Sequence, residues 1–174
     1  MPAPKSIPAA EIHAAIERLA QAIGERHAQT TSLVLLGIAN GGIELARRLA
    51  TTLGTKWGTL DISFHRDDID RNPIPKEFVP TRIPVDVTGA TVILVDDVLF
   101  SGRTVKAALD ELFDHGRPAK VELAILIDRA GRKLPVAADY TGVSLDVTAR
   151  CKVVVKLDAN QPARDSVEIL PSKS

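Results

Sequence analysis

The chain has 174 residues, enough for one domain with a sizeable core. It is 45% hydrophobic but only 3% aromatic, so the core is expected to be aliphatic. Lys plus Arg equals Asp plus Glu at 22 each, which argues against a general nucleic-acid or membrane-surface role. A single cysteine, Cys151, excludes an internal disulfide and fits a reducing compartment. The stretch MPAPKSIPAAE lacks the apolar core of a signal peptide, and no run is long enough to span a membrane, so a cytoplasmic location is expected.

Ala9–Ala28 reads as a helix, with Ile12, Ile16, Leu19 and Ile23 on one apolar stripe. Ser6 and Pro8 suit its start. His13 and His27 lie off the stripe and are expected to face solvent. Leu33–Ile38, LVLLGI, is a buried strand by composition. Ala39–Gly42 is a turn, and Ile43–Leu53 a helix closed by Gly54. Thr59–His65 alternates weakly through Leu60, Ile62 and Phe64 and reads as a strand. Arg66–Pro84 holds four prolines, several charges and few apolar residues, and reads as a mobile lid.

Thr91–Leu109, TVILVDDVLFSGRTVKAAL, is the most informative stretch. Val92–Val95 predicts a strand buried on both faces, and Asp96 and Asp97 end the run. A loop with Ser101, Gly102 and Thr104 leads into an amphipathic helix bearing Val105, Ala108, Leu109 and Leu112, which ends at Gly116 and Pro118. Lys120–Asp128 is a further strand, Arg129–Lys133 a basic loop, and Cys151–Leu157 and Ser166–Leu170 two late strands, antiparallel at an edge. Strands alternating with helices predict an α/β fold: one domain over 1–174, a mostly parallel central sheet flanked by helices. Ligands bind outside the carboxyl ends of such strands. Four loops leave those ends and converge: Ala39–Gly42, Arg66–Pro84, Asp97–Gly102 and Arg129–Lys133.

A strand, a small-residue turn and a helix N-terminus make an anion site, because free N–H groups and the helix dipole both favour negative charge. Ser101 and Thr104 add hydroxyl donors. Two adjacent carboxylates would repel a lone phosphate, so they serve something else. Vicinal sugar hydroxyls are one answer and hydrated Mg²⁺ another. The stretch therefore asks for a ligand with a phosphate, a ribose diol and a metal-bound second phosphate. Helix capping alone would need one acidic residue, not two. Neither a Gly-Lys-[Ser/Thr] loop nor G-x-G-x-x-G occurs.

Apolar run, Asp-Asp, a short spacer and [Ser/Thr]-Gly-x-Thr, over Val92–Val105, resembles the phosphoribosyl-diphosphate (PRPP) motif of type I phosphoribosyltransferases. GIANGGIELARRLA, DISFHRDDI, IPVDVTGATVILVDDVLFSGRTVKAALDEL, GRPAKVELAILIDRAGRKLPVAADYTG and KVVVKLD extend the resemblance, to the PyrR-type branch, over most of the chain. The resemblance implies the type I fold, with a small hood from the segment after residue 127 and the C-terminal strands, and a flexible loop at about 66–84. It implies uracil phosphoribosyltransferase activity, with PRPP, uracil, UMP and UTP as ligands, Mg²⁺ as cofactor and a homodimer or higher homo-oligomer. Asp96 and Asp97 would hold the ribose hydroxyls and reach the metal indirectly, through PRPP or water. Val98, Leu99, Phe100, Ser101, Gly102, Arg103 and Thr104 would cradle the 5′-phosphate. Ala39, Asn40, Gly41 and Gly42 would meet the diphosphate, and Arg66, Asp67 and Asp68 would start the closing loop. Ile127, Asp128 and Arg129 would face the base.

The chain departs from the family in two places. The diphosphate turn usually carries Lys and Arg, where Ala39 and Gly42 stand here. The family's RNA surface is mostly replaced, at Asn40, Gly131, Ala137 and Val143, leaving Arg132 and Lys133 as RNA-binding candidates. The enzyme is therefore the favoured reading. The alternatives are a uridine-nucleotide-sensing regulator that binds pyrimidine-operon mRNA, with catalysis secondary, and a transferase for another base such as a purine.

Overall fold

A computed structural model describes residues 5–66, 78–147 and 150–171. In chain order the elements are β1 (Lys5–Ile7), α1 (Ala9–Arg26), β2 (Leu33–Ile38), α2 (Ile43–Leu53), β3 (Lys56–Leu60), β4 (Thr91–Leu99), α3 (Arg103–Asp114), β5 (Lys120–Arg129), β6 (Tyr140–Leu145) and β7 (Cys151–Lys156). A 3-10 turn at Pro162–Arg164 and β8 (Ser166–Pro171) follow.

The central sheet has the order β3-β2-β4-β5-β6, and every pairing in it is parallel. Alternate residues of each strand point to opposite faces, and this period of two divides the core. Leu35, Ile93, Val95, Ala124 and Leu126 pack against α1 and α2, whose buried stripes include Ile12, Leu19, Ile23, Leu45 and Leu49. Val34, Leu36, Val92, Leu94 and Ile125 pack against Val105, Ala108 and Leu112 of α3. Gly54 closes α2 in the left-handed region at φ 64°, as expected of a C-terminal glycine.

A second, antiparallel sheet of order β1-β8-β7 caps the first core through Ile7, Val153 and Val167. The late strands thus form their own sheet with the N-terminal segment, not an edge of the central one. β1 spans only three residues and carries no detectable period, so nothing in the sequence announced it. β6 was equally silent, because YTGVSL mixes polar residues with a glycine.

Two further expectations are corrected. The third strand ends at Leu60, because the Asp61 carboxylate accepts from the Ser63 N–H (3.0 Å) and turns the chain. Phe64, expected inside that strand, is 83% exposed. The His27 side chain is turned inward, 5% exposed, rather than solvent-facing: its Nε2 lies 2.7 Å from Glu122 Oε2 and its Nδ1 2.9 Å from Thr30 Oγ1. His13 is partly exposed and sits 2.9 Å from the buried Asp165 carboxylate.

Glu122, 2% exposed, also accepts from the Tyr140 hydroxyl (2.6 Å) and meets Lys120 Nζ at 2.6 Å. Burial alone would raise its carboxyl, but bonds from Lys120, Tyr140 and His27 outweigh it and hold the group down at about 2. A depressed folded-state pKa adds stability that is full above the unfolded value of 4.5 and is lost as pH falls towards about 2. Glu122→Gln should remove that acid dependence and cost roughly 3 kcal/mol at neutral pH, the low end for breaking a buried pair because Lys120 and Arg26 reach solvent. Denaturant melts of both chains between pH 7 and pH 3 check this.

Candidate active site

The four loops named from the sequence all leave the carboxyl edge of the central sheet, and β4 lies at its middle. β4 does not stop at the acidic pair. It runs on to Leu99, pairing Asp96 with Ile125, Val98 with Ile127 and Leu99 with Asp128. The pair therefore sits on a rigid strand, not a loop. Asp96 is 6% exposed, and its Oδ1 accepts from the Asp97 N–H at 2.9 Å. Burial first, and then the adjacent Asp97 charge, push the Asp96 carboxyl well above the usual carboxylate range. Burial also pushes Asp97 up. Two adjacent acids held this way favour a ligand that donates hydrogen bonds or carries positive charge.

The Ala39–Gly42 turn presses onto this pair. A Cβ on Gly41 would stand 2.6 Å from the Asp97 carboxylate, and one on Gly42 would stand 2.0 Å from the Val95 carbonyl. Both positions need glycine for close approach. The Ala39–Asn40 peptide bond is cis. The Ala39 N–H donates to Leu60 O at 2.9 Å and Gly42 N–H to Ile38 O at 2.9 Å, so neighbouring strands hold the turn on both sides. Gly42, one of the two positions where the family's basic residues were sought, has no room for any side chain.

On the other side of the pair, Gly102 caps α3 at φ 94°, a left-handed conformation that suits glycine. The Arg103 N–H donates to Ser101 Oγ at 3.3 Å, and Arg103 and Thr104 are exposed at the helix start. Phe100 is 38% exposed, Val98 half-buried, and Leu99 has its side chain in the core at 2% exposure, so Leu99 offers only backbone.

The basic loop after β5 differs most from expectation. Arg132 donates to Phe100 O (Nη1, 2.6 Å), Asp128 Oδ1 (Nη2, 2.7 Å) and Val136 O (Nε, 2.9 Å). Its guanidinium is a clamp on the 98–104 loop, not an open RNA contact. The Lys133 and Leu134 N–H groups both donate to Ser101 O, at 2.9 and 3.0 Å, while the Lys133 side chain stays exposed. Arg129 is 5% exposed; its Nη1 donates to Cys151 O at 2.6 Å and its guanidinium lies 4.2 Å from the Phe100 ring centroid. It ties β7 and Phe100 together and also lines the small cavity at the ends of β5 and β6. A Cβ on Gly131 would fall 2.2 Å from that ring, so Gly131 makes room for Phe100. The Ile127 side chain is fully buried, leaving only its backbone for a base. Asp128 is half-buried and engaged by Arg132.

Arg66 follows the Ser63–His65 turn, while Asp67 and Asp68 lie outside the described residues. The far end of the expected lid is fixed: Thr59 and Arg82 exchange both backbone hydrogen bonds, at 2.9 and 2.8 Å, along the outer edge of β3. A cavity of about 770 Å³ lies there, between Trp57 and Phe78, on the edge of the sheet rather than at the acidic pair. Two smaller cavities lie at the loops. One, of about 560 Å³, runs between Asn40, Gly41 and the end of β7. The other, of about 290 Å³, lies at the ends of β5 and β6, against Asp128 and Ser144. The strand at β7 was expected, but its place as a wall of the cavity beside Asn40 and Gly41, the 3-10 turn, and Lys156 and Arg164 as residues of the site were not.

The family model of the phosphoribosyl transferase domain matches residues 8–159. The chain belongs to the phosphoribosyltransferase family. Within the family it belongs to the PyrR group. It is 46% identical over 154 residues to a bifunctional protein PyrR of Chloroflexus aurantiacus, covering 84% of each chain. It is 44% identical to the protein of that name in Deinococcus deserti, over 97% of this chain and 96% of the relative. Among solved structures, a hypoxanthine-guanine phosphoribosyltransferase from Bacillus anthracis aligns with a TM-score of 0.65 at 22% identity, over 80% of this chain and 82% of that one. A purine phosphoribosyltransferase from Pyrococcus horikoshii aligns with a TM-score of 0.62 at 25% identity, over 80% and 86%. The phosphoribosyltransferase fold expected from the sequence is the fold found.

Proposed function

We propose that this chain transfers the phosphoribosyl group of PRPP to uracil, giving UMP and diphosphate. The observation that carries the reading is the acidic pair on β4, held between the glycine turn that touches Asp97 and the glycine-capped start of α3. Asp96 and Asp97 accept from the ribose hydroxyls, and the 98–104 loop with the first turn of α3 takes the 5′-phosphate. The Ala39–Gly42 turn takes the diphosphate through the backbone of Asn40 and Gly41, since the Ala39 and Gly42 N–H groups are bonded to Leu60 O and Ile38 O. Arg66 approaches the leaving group from the segment that Asp67 and Asp68 continue. As diphosphate departs, C1 of the ribose gains oxocarbenium character, and a ring nitrogen of uracil attacks it. No protein nucleophile is needed, because positioning and charge stabilisation lower the barrier. Uracil as the base rests on membership in the PyrR group.

The acidic pair also suits Mg²⁺, since its donors are all carboxylate oxygen. When bound with PRPP, Mg²⁺ spreads the negative charge of the diphosphate. A cytoplasmic location and a homo-oligomer belong to the same proposal; no helix among the described residues is long and apolar enough to cross a membrane.

Steady-state assays of PRPP with uracil, hypoxanthine, guanine and orotate test the proposal. Uracil is expected to have the highest kcat/KM, and preference for a purine would overturn it. Arg132→Gln, and equally Arg132→Lys, should raise the KM for PRPP roughly tenfold by releasing Phe100 and the phosphate loop, with the KM for uracil little changed.

Binding of pyrimidine-operon leader RNA is the second reading, favoured by the relatives being called bifunctional. Arg132 is committed to three internal bonds, so such binding would rest on other cations. Weak binding at physiological salt is the expected result of a gel-shift titration with uridine nucleotide present.

A further inference from the structure

We infer that Lys156 and Arg164, on the hairpin of β7 and β8, supply the cationic contacts to the diphosphate that the Ala39–Gly42 turn lacks. The inference rests on the proposed transferase reaction and deepens it.

The turn and the hairpin face each other across one cavity of about 560 Å³, lined by Asn40, Gly41, Glu44, Lys156, Asp158 and Arg164 among others. The turn side offers backbone and no basic side chain, and Gly42 can accept none. A departing diphosphate carries several negative charges, and here it leaves beside Asp96 and Asp97. Backbone N–H groups alone leave much of that charge unmatched, and charge-assisted bonds from Lys or Arg are the ordinary answer.

The two acids of the cavity wall are already engaged. Glu44 accepts from Arg47 Nε at 2.8 Å and Arg48 Nε at 2.7 Å, and the Arg47 bond leads in holding its carboxyl below the usual range. Asp158 Oδ1 accepts from the Gln161 and Asn160 N–H groups, each at 2.9 Å. The two cations are held less tightly. Lys156 meets Glu168 at 3.2 Å in a pair with the lysine side chain 62% exposed, a contact worth little in water. Arg164 is exposed in the 3-10 turn.

Their backbones, by contrast, are fixed. Lys156 pairs with Ser166 in the β7–β8 register. Asp165, next to Arg164 and 4% exposed, accepts from Arg48 Nη2 at 3.1 Å and from the Asp158 N–H at 2.8 Å. Arg48 Nη2 also donates to Asp158 O at 2.8 Å, which docks the hairpin onto α2. The hairpin therefore presents two exposed cationic side chains from a hydrogen-bonded base, opposite a turn that has none.

The test compares the wild type with Lys156→Ala/Arg164→Ala, using Mg²⁺ and inorganic diphosphate as product inhibitor and UMP as control ligand. The double variant should show a roughly tenfold or greater rise in the diphosphate inhibition constant and in the KM for PRPP. Its UMP dissociation constant and melting temperature should stay within about twofold and a few degrees of wild type. Lys156→Arg/Arg164→Lys, which keeps both charges, should retain most of the diphosphate affinity. Unchanged diphosphate inhibition in the alanine variant, with UMP still formed, overturns the inference and leaves the proposed reaction standing. Equal weakening of UMP and diphosphate also overturns it, as the sign of a displaced hood. If the wild type forms no UMP, the reaction itself falls, and calorimetric titration of diphosphate into both chains decides the cation question alone: equal affinities overturn it.

Discussion

Asp97→Asn is expected to form UMP at least roughly a hundredfold more slowly than the wild type, and Asp96→Asn similarly, with the fold intact in both. An amide keeps the shape but replaces an acceptor oxygen by a donor, so each variant loses charge-assisted bonds to the sugar. The fold gains from the same change. Both carboxyls are raised above the ordinary 3.8, so the folded chain holds more protons than the unfolded chain as pH rises past that value. Their contribution to stability therefore falls with rising pH. Neutral amides remove that dependence, and at pH 7 the unliganded variants should melt at or above the wild-type temperature. A site that stores unfavourable charge for its ligand behaves in this way. Steady-state kinetics beside ligand-free thermal melts read both effects, and a variant that keeps wild-type turnover would remove its carboxylate from the assigned role.

Gly42→Ala is the second large effect, and it falls on the fold. A Cβ there would lie 2.0 Å from Val95 O and 2.8 Å from Ile38 N, both backbone atoms of paired central strands. Neither can move without opening the sheet, so the cost is about 3 kcal/mol or more, a fall in Tm of roughly 10 °C. Gly41→Ala meets only the end of a side chain, the Asp97 carboxylate at 2.6 Å. That carboxylate can rotate away, so the fold should survive while activity drops roughly tenfold through a displaced ligand group. Melting curves and kinetics of the two single variants separate these outcomes; a normal melt for Gly42→Ala would contradict the packing described.

The parts of the molecule legible in the sequence are those written in local pattern. LVLLGI and TVILV read as buried strands, and the stripes through Leu49 and Leu112 as helices, because burial on one or both faces dictates those patterns. The acidic pair and Ser-Gly-x-Thr were legible for chemical reasons. What stayed hidden is tertiary. Arg132 looks like any surface arginine until Phe100 O and Asp128 are brought to its fork. His27 is polar and off the stripe, yet Glu122, from a strand far along the chain, makes its burial tolerable. Gly41 and Gly42 are indistinguishable as letters, and only the contacts of their missing Cβ atoms tell a position facing the ligand group from one facing backbone. β1 needs β8 as its partner and has no pattern of its own.

The most direct test of the central claim, that the acidic pair and its two flanking glycine loops form a PRPP site, is a calorimetric titration of PRPP with Mg²⁺ into the wild-type chain, alone and with UMP present. One PRPP per chain is expected to bind, and saturating UMP should abolish the signal, because both ligands place a 5′-phosphate in the 98–104 loop. Absence of PRPP binding, or binding that UMP leaves undisturbed, would contradict the account.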